Sequence, residues 1–451
     1  MLNKNECYEA EITSYGSEGQ GVCKIDGIAV FVPYAVVGDH AEVKILKTAK
    51  AYAFGKIEKL IKPSKYRVIP ACPQYGKCGG CQIMHLSYEE QLKMKRQYVQ
   101  DCMERIAKSD VKVLPVIGAD QTMHYRNKIQ IPVGVTAEGE PVCGFYAGRS
   151  HRIIPAGSCL LQQEPAGRII DAVLVWMKKY KISAYDEAVH QGMVRHLFLR
   201  SSKVTSEWMV GLVINAEQLP YSGELSKSLK VCGVTSFFYN RNQKRTNVIL
   251  GKSYVQIFGE KKMADDLCGL SYRISPASFY QVNHAQTEKL YETAIKMAQI
   301  GSSDTVFDLY CGIGTISLYA AKFAKSVVGV EIVPEAVADA KENAKRNGIQ
   351  NARFFCGDAG AITTRLKGEG VTANVIIVDP PRKGCSRELI DTITELFPER
   401  IVYISCNPAT LARDVKILKE SGYYINKVQP VDMFIHTSHV ECVVLLQRQD
   451  T

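Results

Sequence analysis

Five short runs near the end of the chain each stop on a side chain that can do chemistry, and this constrains the fold more than any other feature. They are Val306-Phe-Asp308, Lys325-Ser-Val-Val-Gly-Val-Glu331, Ala352-Arg-Phe-Phe-Cys-Gly-Asp358, Asn374-Val-Ile-Ile-Val-Asp379 and Ile401-Val-Tyr-Ile-Ser-Cys406. Their β-branched and aromatic residues read as buried strands, and the segments between them have helical spacing. That alternation predicts a doubly wound parallel sheet, which holds ligands beyond the carboxyl ends of its strands. One carboxylate at a strand end is ordinarily a helix cap, whereas four on successive strands point to a ligand crevice.

The first run continues into a glycine turn, Asp308-Leu-Tyr310-Cys-Gly312-Ile-Gly314. Glycine has no Cβ, so a cofactor can approach the backbone there. The third glycine of the dinucleotide fingerprint is replaced by Ser317, which argues against a pyrophosphate ligand. An acid four residues before the first glycine fits the S-adenosylmethionine form of the turn better. Glu331 would then reach the ribose hydroxyls and Asp358 the adenine amino group, with Asp379 over the reactive centre.

Asn407 and Pro408 turn the chain, and Ala409 to Lys419 has helical spacing, which sets Cys406 beside a helix amino terminus. A thiol there is expected below its ordinary pKa of about 8.5, as a reactive thiolate. A strand-end cysteine is most often a small core residue, but the acids around this one favour a nucleophile. Such a nucleophile suits methylation of a ring carbon like C5 of uracil, which is too weakly nucleophilic to take a methyl group from a sulfonium unaided. A thiolate added at C6 makes the ring an enolate with negative charge available at C5, and a base must then remove the C5 proton. Glu441, at the start of the last apolar strand, is the candidate base, with His436 and His439 as alternatives.

The chain's 451 residues exceed one ordinary core and imply two or three domains. Its net charge of +10 suggests an anionic partner. No apolar run approaches the roughly 20 residues of a membrane span, and the first residues lack the apolar core of an export signal. Fifteen cysteines in such a chain read as thiols, metal ligands or catalysts in a reducing cytoplasm.

Residues 1–66 show five short alternating segments broken by glycine turns, which suit an OB-like β-barrel. Eight basic residues fall between Lys44 and Arg67 against the single acid Glu58, a candidate phosphate-binding face. This stretch resembles the TRAM domain, an RNA-binding module. Residues 67–265 open with Cys72-Pro-Gln-Tyr-Gly-Lys-Cys78-Gly-Gly-Cys81, a strong metal signal, with Cys159 as candidate fourth ligand. Spacing alone leaves zinc and a [4Fe-4S] cluster open and favours zinc by frequency. Tyr88 to Ile106 reads as an amphipathic helix with a basic face, and the rest of this central domain as mostly β. Arg126 and Lys128 beside Tyr125 suit single-stranded RNA.

Asp379-Pro-Pro resembles the motif of enzymes that methylate exocyclic amines of bases, but Arg382 stands where those carry an aromatic residue. Cysteine-based 5-methylcytosine enzymes place a second cysteine directly after the motif's proline, and Cys385 lies four residues beyond Pro381. The set Cys72-x5-Cys78-Gly-Gly-Cys81, Phe279-Tyr-Gln281-Val-Asn283, Asp308-x3-Gly312-x-Gly314, Asp379-Pro-Pro-Arg-Lys-Gly384, Ser405-Cys406-Asn-Pro408 and His439-Val-Glu441 instead resembles the RNA uracil-C5 methyltransferase family across essentially the whole chain. The resemblance implies a multidomain α/β protein whose residues 266–451 form a Rossmann-like methyltransferase domain. It implies Cys406 as nucleophile and Glu441 as base. Gln281, Tyr310, Gly312, Glu331, Asp358 and Asp379 would bind S-adenosylmethionine, and Cys72, Cys78, Cys81 and Cys159 would hold a [4Fe-4S] cluster. Having both barrel and cluster, the chain resembles the branch acting on 23S ribosomal RNA, without a membrane or an obligate protein partner. A non-catalytic RNA-binding or iron-sulfur sensor protein is the alternative from another class.

Overall fold

The computed structural model describes residues 2–148 and 150–449. Strands β1 (Cys7–Glu11), β2 (Ser14–Tyr15), β3 (Gly21–Ile25), β4 (Ile28–Val32), β5 (His40–Thr48) and β6 (Tyr52–Lys62) form one sheet in the order β1-β5-β6-β4-β3-β2. β1 also touches β3, so the sheet curls on itself. Its interior is a small core of Ile12, Val30, Val32, Val43 and Ile45. Alternate residues of β3 and β5 are buried, the period-two pattern visible in the sequence. The extra strand, β2, has two residues and is too short to leave a period.

Next come α1 (Tyr88–Arg105), β7 (Lys128–Val135), β8 (Pro141–Tyr146), β9 (Ile153–Pro155), α2 (Ala166–Lys179), β10 (Val194–Ser201), β11 (Trp208–Ile214), α3 (Ser222–Val231), β12 (Ser236–Arg241) and β13 (Ser253–Phe258). The strands make a mixed sheet in the order β13-β12-β11-β10-β7-β8-β9, with α2 and α3 sharing its core. Phe198, Met209 and Phe238 of this sheet pack instead with the hairpin β14 (Met263–Leu267) and β15 (Leu270–Ile274). That hairpin spans the 265/266 boundary expected from the sequence. Helix α1 packs away from the central sheet: Val99, Cys102 and Met103 share a core with Phe307, Tyr403 and Leu446.

The remaining elements are α4 (His284–Ala298), β16 (Thr305–Leu309), α5 (Thr315–Ala320), β17 (Ser326–Glu331), α6 (Pro334–Arg346), β18 (Ala352–Cys356), α7 (Ala359–Gly368), β19 (Val375–Val378), α8 (Arg387–Leu396), β20 (Arg400–Ser405), α9 (Pro408–Glu420), β21 (Tyr423–Val431) and β22 (Glu441–Arg448). Their sheet runs β18-β17-β16-β19-β20-β22-β21. The first five strands are parallel, and β22 and β21 are antiparallel additions. Val375, Ile376, Ile377 and Val378 of β19 are essentially unexposed, each burial contributing about 1.5–3 kcal/mol. The chain leaves β16 toward β17 and β18 on one side, then crosses to β19 on the other. The topological switch point, where such sheets open a crevice, therefore lies between the carboxyl ends of β16 and β19.

Candidate active site

Register brings the chemistry-bearing residues to that crevice. Leu309 pairs with Val378, so Tyr310 and Asp379 emerge side by side. Ser405 pairs with Cys442 in the antiparallel β20–β22 ladder, so one step further Cys406 faces Glu441.

The acids in this group are poorly satisfied. Glu441 is 3% exposed and its Oε2 has no hydrogen-bond partner. Burial pushes its carboxyl well above the ordinary range; the charge of Asp379 adds to this and Arg382 opposes it. Asp379 is pushed up to about 7, first by burial and then by Asp308. Asp308 also rises to about 7 through burial, although Ser317 donates to its Oδ2 at 2.5 Å. Its Oδ1 has no partner. Buried carboxylates that repel one another are relieved by a bound cation.

Cys406 is half-buried, and its thiol is pushed up to about 11 by burial and by Glu441 and Asp379, against the pull of Arg382. This corrects the expectation of a lowered thiol pKa. The helix terminus beside it has little to offer: Pro408 has no N–H, and the Ala409 N–H is taken by Asn407 Oδ1 at 3.1 Å. The counter-charge is Arg382. Its carbonyl accepts from Asn407 Nδ2 at 3.2 Å and Thr410 Oγ1 at 3.1 Å, and its Nη2 donates to His439 Nε2 at 3.4 Å.

On the other side of the crevice, Gly312 lies in the left-handed region at φ 54° and donates its N–H to Glu331 Oε2 at 3.1 Å. A Cβ added at Gly312 would meet nothing within 4 Å, which marks open space above the turn. Tyr310 holds φ 74°, a strained conformation for a bulky residue of the kind that clusters at functional sites. Gln281 is buried, its carbonyl accepting from Asn127 Nδ2 at 3.0 Å, while Phe279 two residues earlier is 68% exposed. Asp358 stands apart from the acid group: it is exposed and caps α7, accepting from the Ala361 N–H at 3.0 Å.

Glu441 is placed by the loop before it, 432–440, which is fastened by residues that the motifs do not mark. Lys95 and Asp432 form an ion pair at 2.5 Å with no exposure on either side chain. Lys95 also donates to the Phe434 carbonyl at 3.0 Å, and Tyr88 donates to Asp432 Oδ2 at 3.0 Å. Gln91 Nε2 meets His436 Nδ1 at 3.1 Å, and the N–H groups of Gln82 and Ile83 both bond the His436 carbonyl. His436 is thus committed to holding the loop. Removing one partner of a buried ion pair leaves an uncompensated charge, so Lys95→Ala is expected to cost about 3–5 kcal/mol. Urea denaturation would read this as a lower midpoint; an unchanged midpoint would show that the pair does not anchor the loop.

The four cysteines expected to hold a metal lie near one another without forming a site. Cys81 is pushed up to about 12 by burial, with the charges of Cys159, Cys78 and Cys72 adding to it. The Gly80 N–H donates to Cys78 Sγ at 3.3 Å, as backbone amides do toward cluster thiolates. Among the described residues, however, no group of three or more His, Cys, Asp or Glu is arranged to hold a metal ion. The expected [4Fe-4S] cluster therefore gains no support from geometry. No described helix is long and apolar enough to cross a membrane.

A doubly wound sheet with the unsatisfied Asp308 and the neighbouring Asp379 at its switch point, and a thiol and a carboxylate opposed beside them, is an arrangement able to hold a cationic ligand and to offer a nucleophile and a base. Residues 87–449 match the family tRNA (uracil-5-)-methyltransferase and residues 2–57 match the TRAM domain. The chain belongs to this methyltransferase family and carries a TRAM domain at its amino terminus. It is 45% identical over 447 residues to an uncharacterized RNA methyltransferase of Clostridium tetani, covering 99% of this chain and 97% of that one. A similarly named protein of Clostridium acetobutylicum is 45% identical over 454 residues, covering 100% and 98%. Among solved structures, the Pyrococcus abyssi tRNA (uracil-54, C5)-methyltransferase in complex with S-adenosyl-L-homocysteine superposes with a TM-score of 0.77. It is 27% identical, covering 97% of this chain and 100% of that chain.

Proposed function

We propose that this protein makes 5-methyluridine in 23S ribosomal RNA in the cytoplasm, with S-adenosylmethionine as methyl donor. The observation that carries the reading is the opposition of Cys406 and Glu441 beside Asp379 at the switch point. Gln281, Tyr310, Gly312, Glu331, Asp358 and Asp379 are the residues assigned to the cofactor, and the unsatisfied Asp308 beside Asp379 suits a cationic one. When bound, S-adenosylmethionine supplies a methyl group on a positively charged sulfur.

The chain's own residues do the rest. The Cys406 thiolate adds to C6 of the uracil, and the C5=C6 electron pair moves onto the ring as an enolate. C5 accepts the methyl group and becomes tetrahedral. Glu441 then takes the C5 proton, the electron pair re-forms C5=C6, and the C6–S bond breaks to return the thiolate. Arg382, a cation acting on both Cys406 and Glu441, favours the charged form of each. The target uridine would be turned out of its RNA into this crevice, with the barrel over residues 1–66 and the central domain over residues 67–265 holding the flanking RNA.

The test is a trap. Fluorine at C5 cannot leave as a proton, so RNA containing 5-fluorouridine should freeze as a protein–RNA adduct on a denaturing gel. An adduct with 23S rRNA and none with tRNA is expected; the opposite pattern would assign tRNA, and no adduct with either would remove the covalent mechanism.

We also propose that Cys72, Cys78, Cys81 and Cys159 bind an iron-sulfur cluster, a role that suits their soft thiolate chemistry and mutual proximity. Anaerobically purified protein should then contain about four iron atoms per chain and lose its visible absorbance in Cys81→Ser. Iron-free protein from iron-replete cells would remove the cluster.

A further inference from the structure

A second feature lies at the junction of the barrel and the cysteine loop. Residues of the barrel, of the segment after β6 and of the cysteine loop line a cleft of about 840 Å³. Tyr34, Tyr75 and His85 make its aromatic corner. The Tyr34 ring lies 5.7 Å from Tyr75 and 5.9 Å from His85, both edge-on. Tyr75 meets His85 Nδ1 at 2.5 Å, which fixes those two rings relative to each other. Tyr34 is nevertheless 44% exposed, and Ile69, which also lines the cleft, is 95% exposed.

Holding Tyr34 there is costly. It follows β4 in a turn at φ 61°, in the left-handed region that a bulky side chain avoids. The conformation is held by a network anchored on one buried acid. Arg67 Nη2 donates to the Tyr34 carbonyl at 3.0 Å and its guanidinium pairs with the fully buried Asp39. Asp39 in turn accepts from the N–H groups of Val36 at 2.7 Å and Ser64 at 2.9 Å. Strain maintained by such a network, with the result that an aromatic ring faces solvent, marks a ligand clamp more than a folding element. Lys65 is exposed at the same rim, in a stretch where eight basic residues face one acid. A planar, uncharged group attached to an anion fits this chemistry.

We infer that this cleft binds one unpaired nucleotide of the RNA, its base stacked on Tyr34 against Tyr75 and its phosphate toward Lys65. The inference rests on the RNA-methylating reading and adds a subsite that shares no lining residue with the methyl-transfer crevice. One wall of the subsite is the cysteine loop itself, through Tyr75 and Gly76. An ordered cysteine loop would thereby shape RNA affinity.

The decisive variant is Tyr34→Gly, because glycine adopts a positive φ without strain. If the ring serves RNA, this variant should melt at the same or a higher temperature than the wild type, yet bind a short fluorescein-labelled single-stranded RNA roughly tenfold more weakly. The salt dependence of its binding should not change, whereas Lys65→Ala should lower the slope of log affinity against log salt by about one. Tyr34→Trp should restore affinity. A Tyr34→Gly protein that binds RNA within twofold of wild type would overturn the inference, as would one that loses stability and affinity together. The two proposals fail separately. Wild type that forms the 5-fluorouridine adduct while Tyr34→Gly binds RNA normally removes this subsite alone, and wild type that forms no adduct removes the catalytic reading.

Discussion

Cys406→Ala should lose methyl transfer by a factor on the order of 10⁵ or more, the loss typical of deleting a covalent nucleophile, and should form no adduct with 5-fluorouridine RNA. Its binding of RNA should survive, because the side chain contributes one thiol to a large interface. Substantial turnover in this variant would sink the covalent mechanism and move amine methylation to the front. The pH dependence gives a second readout of the same residue. The active form is the thiolate, and the thiol is pushed up to about 11. Below that value the thiolate fraction grows roughly tenfold per pH unit, so kcat/KM should climb steeply from about pH 6 to pH 9. A flat profile would mean that Arg382 and the substrate have already ionised the thiol.

Glu441→Gln should behave differently. Gln keeps the shape of the acid but cannot take a proton, so addition and methyl transfer proceed while elimination stalls. Steady turnover is expected to fall roughly 10²- to 10⁴-fold, the contribution of a positioned base, while ordinary uridine RNA becomes trapped as a methylated adduct. A single-turnover burst of methyl transfer would therefore survive. A variant that turns over at the wild-type rate would exclude Glu441 as the base. His439, exposed beside Arg382, would be the next candidate.

The strand ends were readable from sequence because each is a local pattern: a few apolar residues, an abrupt polar one, then a helix. The sheet in the structure uses those five strands and adds β21 and β22 at the Cys406 side. What could not be read depends on distant partners. The amphipathic pattern of α1 shows that one face is covered but not by what, and it is the methyltransferase sheet that covers it. Lys95 reads as part of a solvated basic face, yet it is fully buried because Asp432 waits on a loop far along the chain. The sign of the Cys406 shift was missed for a similar reason, since a helix-terminus argument sees Pro408 and Asn407 but neither the burial of the thiol nor the two carboxylates that fold near it. The choice of RNA rested on the barrel together with the cysteine cluster, and the Pyrococcus abyssi tRNA enzyme overlaps this chain over 97% of its length, so the barrel alone does not separate the two substrates.

The fastening of loop 432–440 to α1 has a consequence for when the enzyme becomes an enzyme. Lys95 and Asp432 are separated by 337 positions, and Gln91 and His436 by 345. Closing so long a loop costs about 3 kcal/mol more than closing one of ten residues, and contacts of such range form late in folding. Glu441 itself lies far downstream of both the barrel and α1. A nascent chain can therefore complete its barrel and bind RNA while the carboxylate proposed as its base is still missing. Recognition matures before catalysis, and an unfinished molecule would hold its substrate without marking it.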